Sequence, residues 1–451
     1  MKRKIWFFAT LFLFVSALGV SQASAGQVDV LINKLVQKGV LTESEARDLL
    51  RSLQKEDARQ EKALQEVARE TAQETVKKEV KSASVDLPAW VKNSKVKGDI
   101  RVRYQKEDRD KNPSVDNKDR TRLRVRLGLE TRVNEQWKAG IGLASGGSDP
   151  RSTNQTLENT FDTPDIRMDY AYAQYQPCSF AKLTGGKFKN PLWKTKDLLW
   201  DGDIRPEGAA LQLHYDPAKN VHLWATPAYF ILENIAGTAD PNMVAIQVGA
   251  QFKFAEALTF KVAPTFYEFN QVKGQDFTAG GGYGKGTNSE DANGNWLFDH
   301  DAWALDAELG VKIPGPVPYF ALFGQFVKSS AEKNDDGISS RYGKDDDTGY
   351  LVGFKLGHKN VKKLGQWQIN YNYRRLENDA WPDWLPDSDF YGGRTNVKGS
   401  EYEVVFGLAK NVTLGIDYYD AKPIRTQAVG LGGGLADQDE KVFQADLVLK
   451  W

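Results

Sequence analysis

Arginine recurs at every second position in two stretches of this chain. Arg122, Arg124 and Arg126 alternate with Leu123, Val125 and Leu127, and Arg101 and Arg103 alternate with Ile100, Val102 and Tyr104. A period of two is that of a β-strand, whose successive side chains point to opposite faces. One face is therefore apolar and the other cationic. Arginine facing lipid at the midplane of a bilayer would cost about 2–4 kcal/mol per residue, so these side chains point to an interior. Guanidinium groups on adjacent strands repel one another, and water, anions or nearby carboxylates must offset that repulsion. Such a row can draw anions out of a wet lumen. The alternative is a mixed-charge wall in which Asp99, Glu130 and acidic residues reaching in from loops cancel the field, and 60 basic against 60 acidic residues favour that alternative. Arg167, in a later alternating segment, is assigned to the same lumen face.

Other candidate chemistry is weaker. Asp291-Ala292-Asn293-Gly294-Asn295 has oxygen ligands at calcium-loop spacing, but its glycine comes early and no bidentate glutamate follows, which predicts a turn. His214, His222, His300 and His358 lie on different segments without HxxxH spacing or a cysteine partner, so no zinc site and no cofactor is expected. Cys178 stands alone and cannot form an intrachain disulfide. Balanced charge gives no reason to expect nucleic acid as a partner.

Elements that could hold such a wall follow from the N-terminus onward. Lys2, Arg3 and Lys4, the apolar run Ile5 to Val20 and the Ala23-Ser24-Ala25 site predict a secretory signal over residues 1–25. Residues 26–86 have helical composition: Gly39 is placed to end a first short helix, and Thr42-Glu43-Ser44-Glu45 is a capping box opening a second. Leu50, Leu53, Leu64, Val67 and Thr71 continue a narrow seam, which predicts a coiled-coil segment or a solvated stalk. Pro88 stops the helix inside a linker, 87–95.

From Val96 to Trp451 about sixteen alternating segments follow, many near the roughly 9–11 residues that a tilted strand needs to cross the hydrocarbon layer. Their connections alternate in length. Short links near 133–136, 177–179, 216–219, 255–257, 314–317 and 410–411 separate long ones near 107–120, 146–164, 189–206, 270–301, 329–347, 377–399 and 421–440. That parity predicts an all-β transmembrane antiparallel barrel with periplasmic turns, external loops and both chain ends on the periplasmic side. Mean hydropathy of −0.53 and the lack of a later apolar run long enough for a helical span exclude a helical membrane protein.

The segment Val30-Leu31-Ile32-Asn33-Lys34-Leu35-Val36, its continuation Gly39 to Ala46, and the strand Lys97-Gly98-Asp99-Ile100-Arg101-Val102-Arg103-Tyr104 resemble the "putative porin" family of Gram-negative outer membranes. Similarity to phosphate-selective porins is looser. The last strand, with Phe443, Ala445, Leu447 and Leu449 alternating up to Trp451, resembles the terminal strand read by the barrel-assembly machinery, with tryptophan where phenylalanine is usual. The resemblance implies a channel for passive diffusion of small hydrophilic solutes or ions, anion-preferring if the arginines are free, in the outer membrane and among its lipids. It implies a homotrimer, and a periplasmic N-terminal segment that could contact peptidoglycan. It also nominates the third long loop, with Lys189, Lys194, Lys196, Asp197, Asp201, Asp203 and Arg205, as a constriction; the alternative is an external loop whose Trp193 and Trp200 sit at the membrane interface. Competing functions are an exported β-rich adhesion module on a coiled-coil stalk and an outer-membrane barrel enzyme carrying a Ser–His–acid set.

Overall fold

The computed structural model describes residues 34, 36–40, 42–48, 51–52, 88–109, 118–235, 240–277, 283–331, 346–425 and 438–451. Two compact units divide the chain, Met1–Pro88 and Ala89–Trp451. In the first, the Thr42 amide donates to Glu45 Oε2 at 2.9 Å and the Glu45 amide to Thr42 Oγ1 at 3.3 Å, the reciprocal bonds of a capping box opening a helical stretch at 43–48. Gly39, at φ +69°, ends the preceding turn with its amide on Val36 O at 3.0 Å. The expected signal and the seam from Leu53 to Thr71 lie outside the described residues.

The second unit begins with a short helix, α1 (Ala89–Lys92), within the stretch expected as a linker, and its first strand starts at Ser94 rather than Val96. The Trp90 carbonyl explains both shifts, because it accepts the Ser94 hydroxyl at 2.6 Å and the Thr131 hydroxyl at 3.0 Å and ties the helix to the sheet. The strands are β1 (Ser94–Arg109), β2 (Lys118–Arg132), β3 (Trp137–Ser145), β4 (Gln155–Thr156), β5 (Ile166–Cys178), β6 (Ala181–Lys187), β7 (Glu207–Ala218), β8 (Val221–Ile231), β9 (Asn242–Phe254), β10 (Leu258–Asn270), β11 (Ala302–Lys312), β12 (Tyr319–Ser329), β13 (Thr348–Gly357), β14 (Trp367–Leu376), β15 (Val397–Ala409), β16 (Val412–Pro423) and β17 (Glu440–Lys450). All but β4 are the long staves of a closed sixteen-strand antiparallel barrel. β4 is a two-residue strand against Arg122 and Leu123 that no alternation announced.

β17 closes the barrel on β1, from Asp99 opposite Lys450 to Arg109 opposite Glu440. Trp451 extends the seam, its amide donating to Gly98 O at 3.1 Å and its backbone oxygen accepting from the Gly98 amide at 3.2 Å. A Cβ on Gly98 would fall 2.3 Å from the Trp451 ring, so this contact requires glycine. Two connections of middling length, 232–241 and 358–366, complete the alternation of long loops and short turns.

The apolar outer face follows the pleat. Val102 and Tyr104 are exposed while Arg101, Arg103 and Gln105 are buried, and on β12 Leu322 is 50% exposed between Ala321 at 0% and Phe323 at 5%. The apolar core lies inside the barrel. Loops L3 (188–206) and L7 (377–396) and the described parts of L5 (271–277 and 283–301) turn inward, and Leu199, Trp200, Trp296, Trp381 and Leu385 pack on Phe230, Met243, Tyr267, Phe269, Phe323 and Leu351, which face inward from β8, β9, β10, β12 and β13. Trp381 is the hub: its ring meets Tyr267 at 4.7 Å, Phe269 at 5.4 Å and Trp200 at 6.4 Å, and its Nε1 donates to Leu199 O at 2.7 Å.

Candidate functional site

Register sets the arginines face to face. Arg101 is opposite Arg124, Arg103 opposite Arg122, and Asp99 opposite Arg126 on the β1–β2 ladder. Direct opposition of like charges is unfavourable, and carboxylates offset it. Asp446, on β17 beside β1, reaches Arg103 Nε at 2.7 Å and Arg101 Nη1 at 3.3 Å. Asp99 takes Arg126 Nε at 2.8 Å and Arg124 Nη2 at 2.9 Å. Two loop carboxylates complete the wall, Asp389 of L7 on Arg103 at 2.8 Å and Asp203 of L3 on Arg126 at 3.1 Å. Glu130, expected to neutralise arginine, pairs instead with Lys97 and Lys138, both at 3.0 Å, because it sits four residues nearer the short-turn end than Arg126. Arg122 is the exception among the five: it holds only Gln105 Oε1 at 3.3 Å and Ser152 Oγ at 3.4 Å. Arg167 faces inward opposite Ala144, and it donates to the Ser152 and Asp149 carbonyls of loop L2 (146–165) at 2.6 and 3.2 Å.

L3 crosses the lumen. The Trp193 amide donates to Gln247 Oε1 on β9 at 2.8 Å and the Thr195 amide to Asp306 Oδ1 on β11 at 2.7 Å. Lys196 Nζ reaches Glu401 on β15 at 2.8 Å, Asp197 meets Arg374 on β14 at 3.0 Å, and the Asp201 amide donates to Leu385 O of L7 at 2.7 Å. With Asp203 on β2, this one loop touches strands on both sides of the barrel. Trp200, 3% exposed, belongs to the inner core rather than to a membrane interface. Lys194 Nζ caps the Trp200 carbonyl, Arg205 Nε lies 3.4 Å from Asp169, and Lys189 is exposed at the loop's start.

Electrostatics within the loops are uneven. Burial, with Asp203 beside it, pushes the Asp201 carboxyl up to about 7. Burial opposes ionisation of Asp203 too, but Arg126 and Arg124 hold it below the usual carboxylate range. Asp389 is likewise buried, and Arg103 and Arg101 hold it far lower still.

Between the walls lies a cavity of about 230 Å³, with Arg101, Arg103 and Arg124 on one side and Glu401, Glu403 and Asp417 on the other. A second cavity, of about 260 Å³, lies toward the long loops and shares Arg151, Ser388 and Asp389 with the first. The arrangement is a slot with opposed charges across it. Carboxylate oxygens of Asp197, Asp387 and Glu401 come within 4.8 Å of one another, a spacing open to a cation, but Arg374 already sits among them. The Asp291 loop is a turn closed on itself: its Oδ1 accepts the amides of Asn293 at 2.7 Å and Asn295 at 3.0 Å.

The acidic wall and Asp446 are the residues that sequence reasoning missed. Glu401 and Glu403 stand at period two on β15, and this was the signal available for them. Asp446 becomes a partner of Arg101 and Arg103 only once the barrel is closed in register.

No curated protein matches the chain in sequence. Among solved structures, a Pseudomonas putida protein described as the high pH structure of OprB matches with a TM-score of 0.50 at 12% identity, over 80% of this chain and 95% of that one. A loop-deletion mutant of OmpT, an outer membrane protein of Vibrio cholerae, matches at 10% identity with a TM-score of 0.42, over 80% of this chain and 100% of that one. The family model described as "Putative porin" matches residues 110–296 and 305–446, and on that match the chain belongs to this porin family of outer-membrane barrels.

Proposed function

We propose that the barrel is a water-filled channel for passive diffusion of small hydrophilic solutes and ions, with the passage confined to the β1, β2 and β15–β17 side. The observation that carries this reading is L3: it divides the lumen into an apolar packed half and a slot lined by opposed arginines and carboxylates. L3 then acts as the constriction, with Lys196, Asp197 and Asp203 at its edge. Asp446, Asp99 and Asp389 neutralise most of the arginine row, which argues for weak charge preference in place of a strong anion filter. The N-terminal unit is assigned to the periplasm, as a helical or coiled-coil segment that could meet peptidoglycan. Assembly is assigned to recognition of the strand ending at Trp451, and the mature form to a homotrimer.

Purified protein added to a planar lipid bilayer tests the reading: it predicts discrete conductance steps and a reversal potential close to zero in a salt gradient. Protein that inserts but shows no steps would refute the channel. Protein that stays soluble without detergent after removal of the signal would favour the adhesion module.

A further inference from the structure

We propose that the upper cavity, between β1, β2 and loops L2, L5 and L7, is a docking site for an oxyanion, the phosphate or carboxylate group of a passing solute. The porin reading supplies only the word "passing"; the site itself rests on how charge is distributed around this cavity.

Every carboxylate lining it is already engaged. Glu107 is taken by Arg120, Glu440 by Arg109 at 2.7 Å, Asp149 by Arg151 at 3.2 Å, and Asp389 by Arg103 at 2.8 Å. Three lining cations, Lys118 and Arg122 of β2 and Lys285 of L5, meet no carboxylate within ion-pair distance among the described residues, and of these Lys118 is exposed. Arg122 is held only by its two long bonds to Gln105 and Ser152, and its Nε is buried with no acceptor. Lys285 feels the surplus directly: burial, with Arg151 beside it, holds its pKa below the usual lysine value.

A buried guanidinium edge without an acceptor is costly, and cations left over in one cavity attract an anion. A planar or tetrahedral oxyanion fits that vacancy, because it can take the Nε edge of Arg122 while presenting other oxygens to Lys285 and the Ser152 hydroxyl. The lower cavity has the opposite excess, with Glu401, Glu403 and Asp417 facing its arginines. An anionic group is thus held above the slot, and the rest of the solute meets the slot first.

Line broadening of inorganic phosphate in ³¹P NMR, titrated with the detergent-purified full chain, tests the site, and conductance of the same preparations tests the channel separately. The expected result is saturable broadening whose affinity falls about tenfold in Arg122→Gln and in Lys285→Gln, the usual scale of one charge-assisted hydrogen bond. Lys261→Gln, on the apolar side, leaves it unchanged. Lys285 lies in a loop, so that variant does not depend on strand folding. Displacement of phosphate by glycerol phosphate or by acetate supports the site and tells a phosphate ester from a carboxylate as the tighter source. No broadening, or equal broadening in the wild type and both variants, overturns it. Conductance with broadening that ignores Arg122 removes this site alone, whereas Arg122-dependent broadening without conductance removes the channel alone.

Discussion

On the β8–β13 side of the lumen, L3, L5 and L7 meet the wall through buried rings and aliphatic chains; on the β1, β2 and β15–β17 side L3 and L7 meet it through ion pairs around a cavity. The two sides do different work. The ion pairs, such as Arg103 with Asp446, are themselves buried, so the cost of stripping water from both charges offsets much of their attraction, whereas a fully buried aromatic ring contributes several kcal/mol. Packing on the apolar side therefore sets where the loops stand, and the charged side is free to be tuned for solutes. Arg151 marks the boundary. Its guanidinium donates to the carbonyls of Gly393 at 3.2 Å and Asp383 at 3.4 Å, and Gly393, at φ +75°, leaves room that a Cβ would take.

Breaking the apolar side has the largest effect. Trp381→Ala removes the hub and costs about 3–5 kcal/mol in unfolding free energy, as large aromatic truncations do. Step conductance also rises, because L3 and L7 lose their anchor. An unchanged step size would mean that the ion pairs hold the loops after all.

The charged side responds in selectivity as well as in stability. Asp446→Asn frees Arg101 and Arg103 and should raise the anion-to-cation permeability ratio by about twofold, read as a reversal potential in a salt gradient. A ratio indistinguishable from the wild type would show that these arginines do not border the passage.

A smaller and opposite pair of effects comes from pH. Asp201, at the charged junction, has a folded pKa of about 7, above the ordinary carboxylate value of about 3.9. Its folded state binds the proton more tightly, so its contribution to stability is present at low pH and is lost as pH rises toward 7. His300, buried in L5 between Trp296 and Phe298, is pushed by burial down to about 3. Its contribution is present above the ordinary histidine value of about 6.5 and is lost as pH falls toward 3. Melting midpoints against pH, each taken as a difference from Asp201→Asn or His300→Phe, should slope in opposite directions. Slopes of the same sign would contradict the assignment.

The same division explains what was legible in the chain. β1 and β2 announce themselves because charge alternates with apolar residues, and the loop parity gives the strand count and direction. The apolar half hides the interior. β12 reads Tyr319-Phe320-Ala321-Leu322-Phe323-Gly324-Gln325-Phe326-Val327, apolar on both faces, as a strand buried on one side and facing lipid on the other must be. That run was visible, and it is the signature of loops folded inside. Trp193 and Trp200 carried a similar ambiguity, since a tryptophan suits both a membrane interface and a core. Partners such as Asp389 and Asp203 come from loops whose path depends on that core, and no local spacing encodes them.

The central claim is that solutes pass on the charged side while the apolar side is filled. Thiol labelling in the bilayer tests it most directly, with Cys178→Ser as the background because Cys178 is the native free thiol. One cysteine replaces Asn154, which lines the slot, and another replaces Ala304 on β11, which is 1% exposed in the packed half. The account predicts that a charged methanethiosulfonate cuts the current of Asn154→Cys and leaves Ala304→Cys unaffected. Block at Ala304→Cys with none at Asn154→Cys would contradict it.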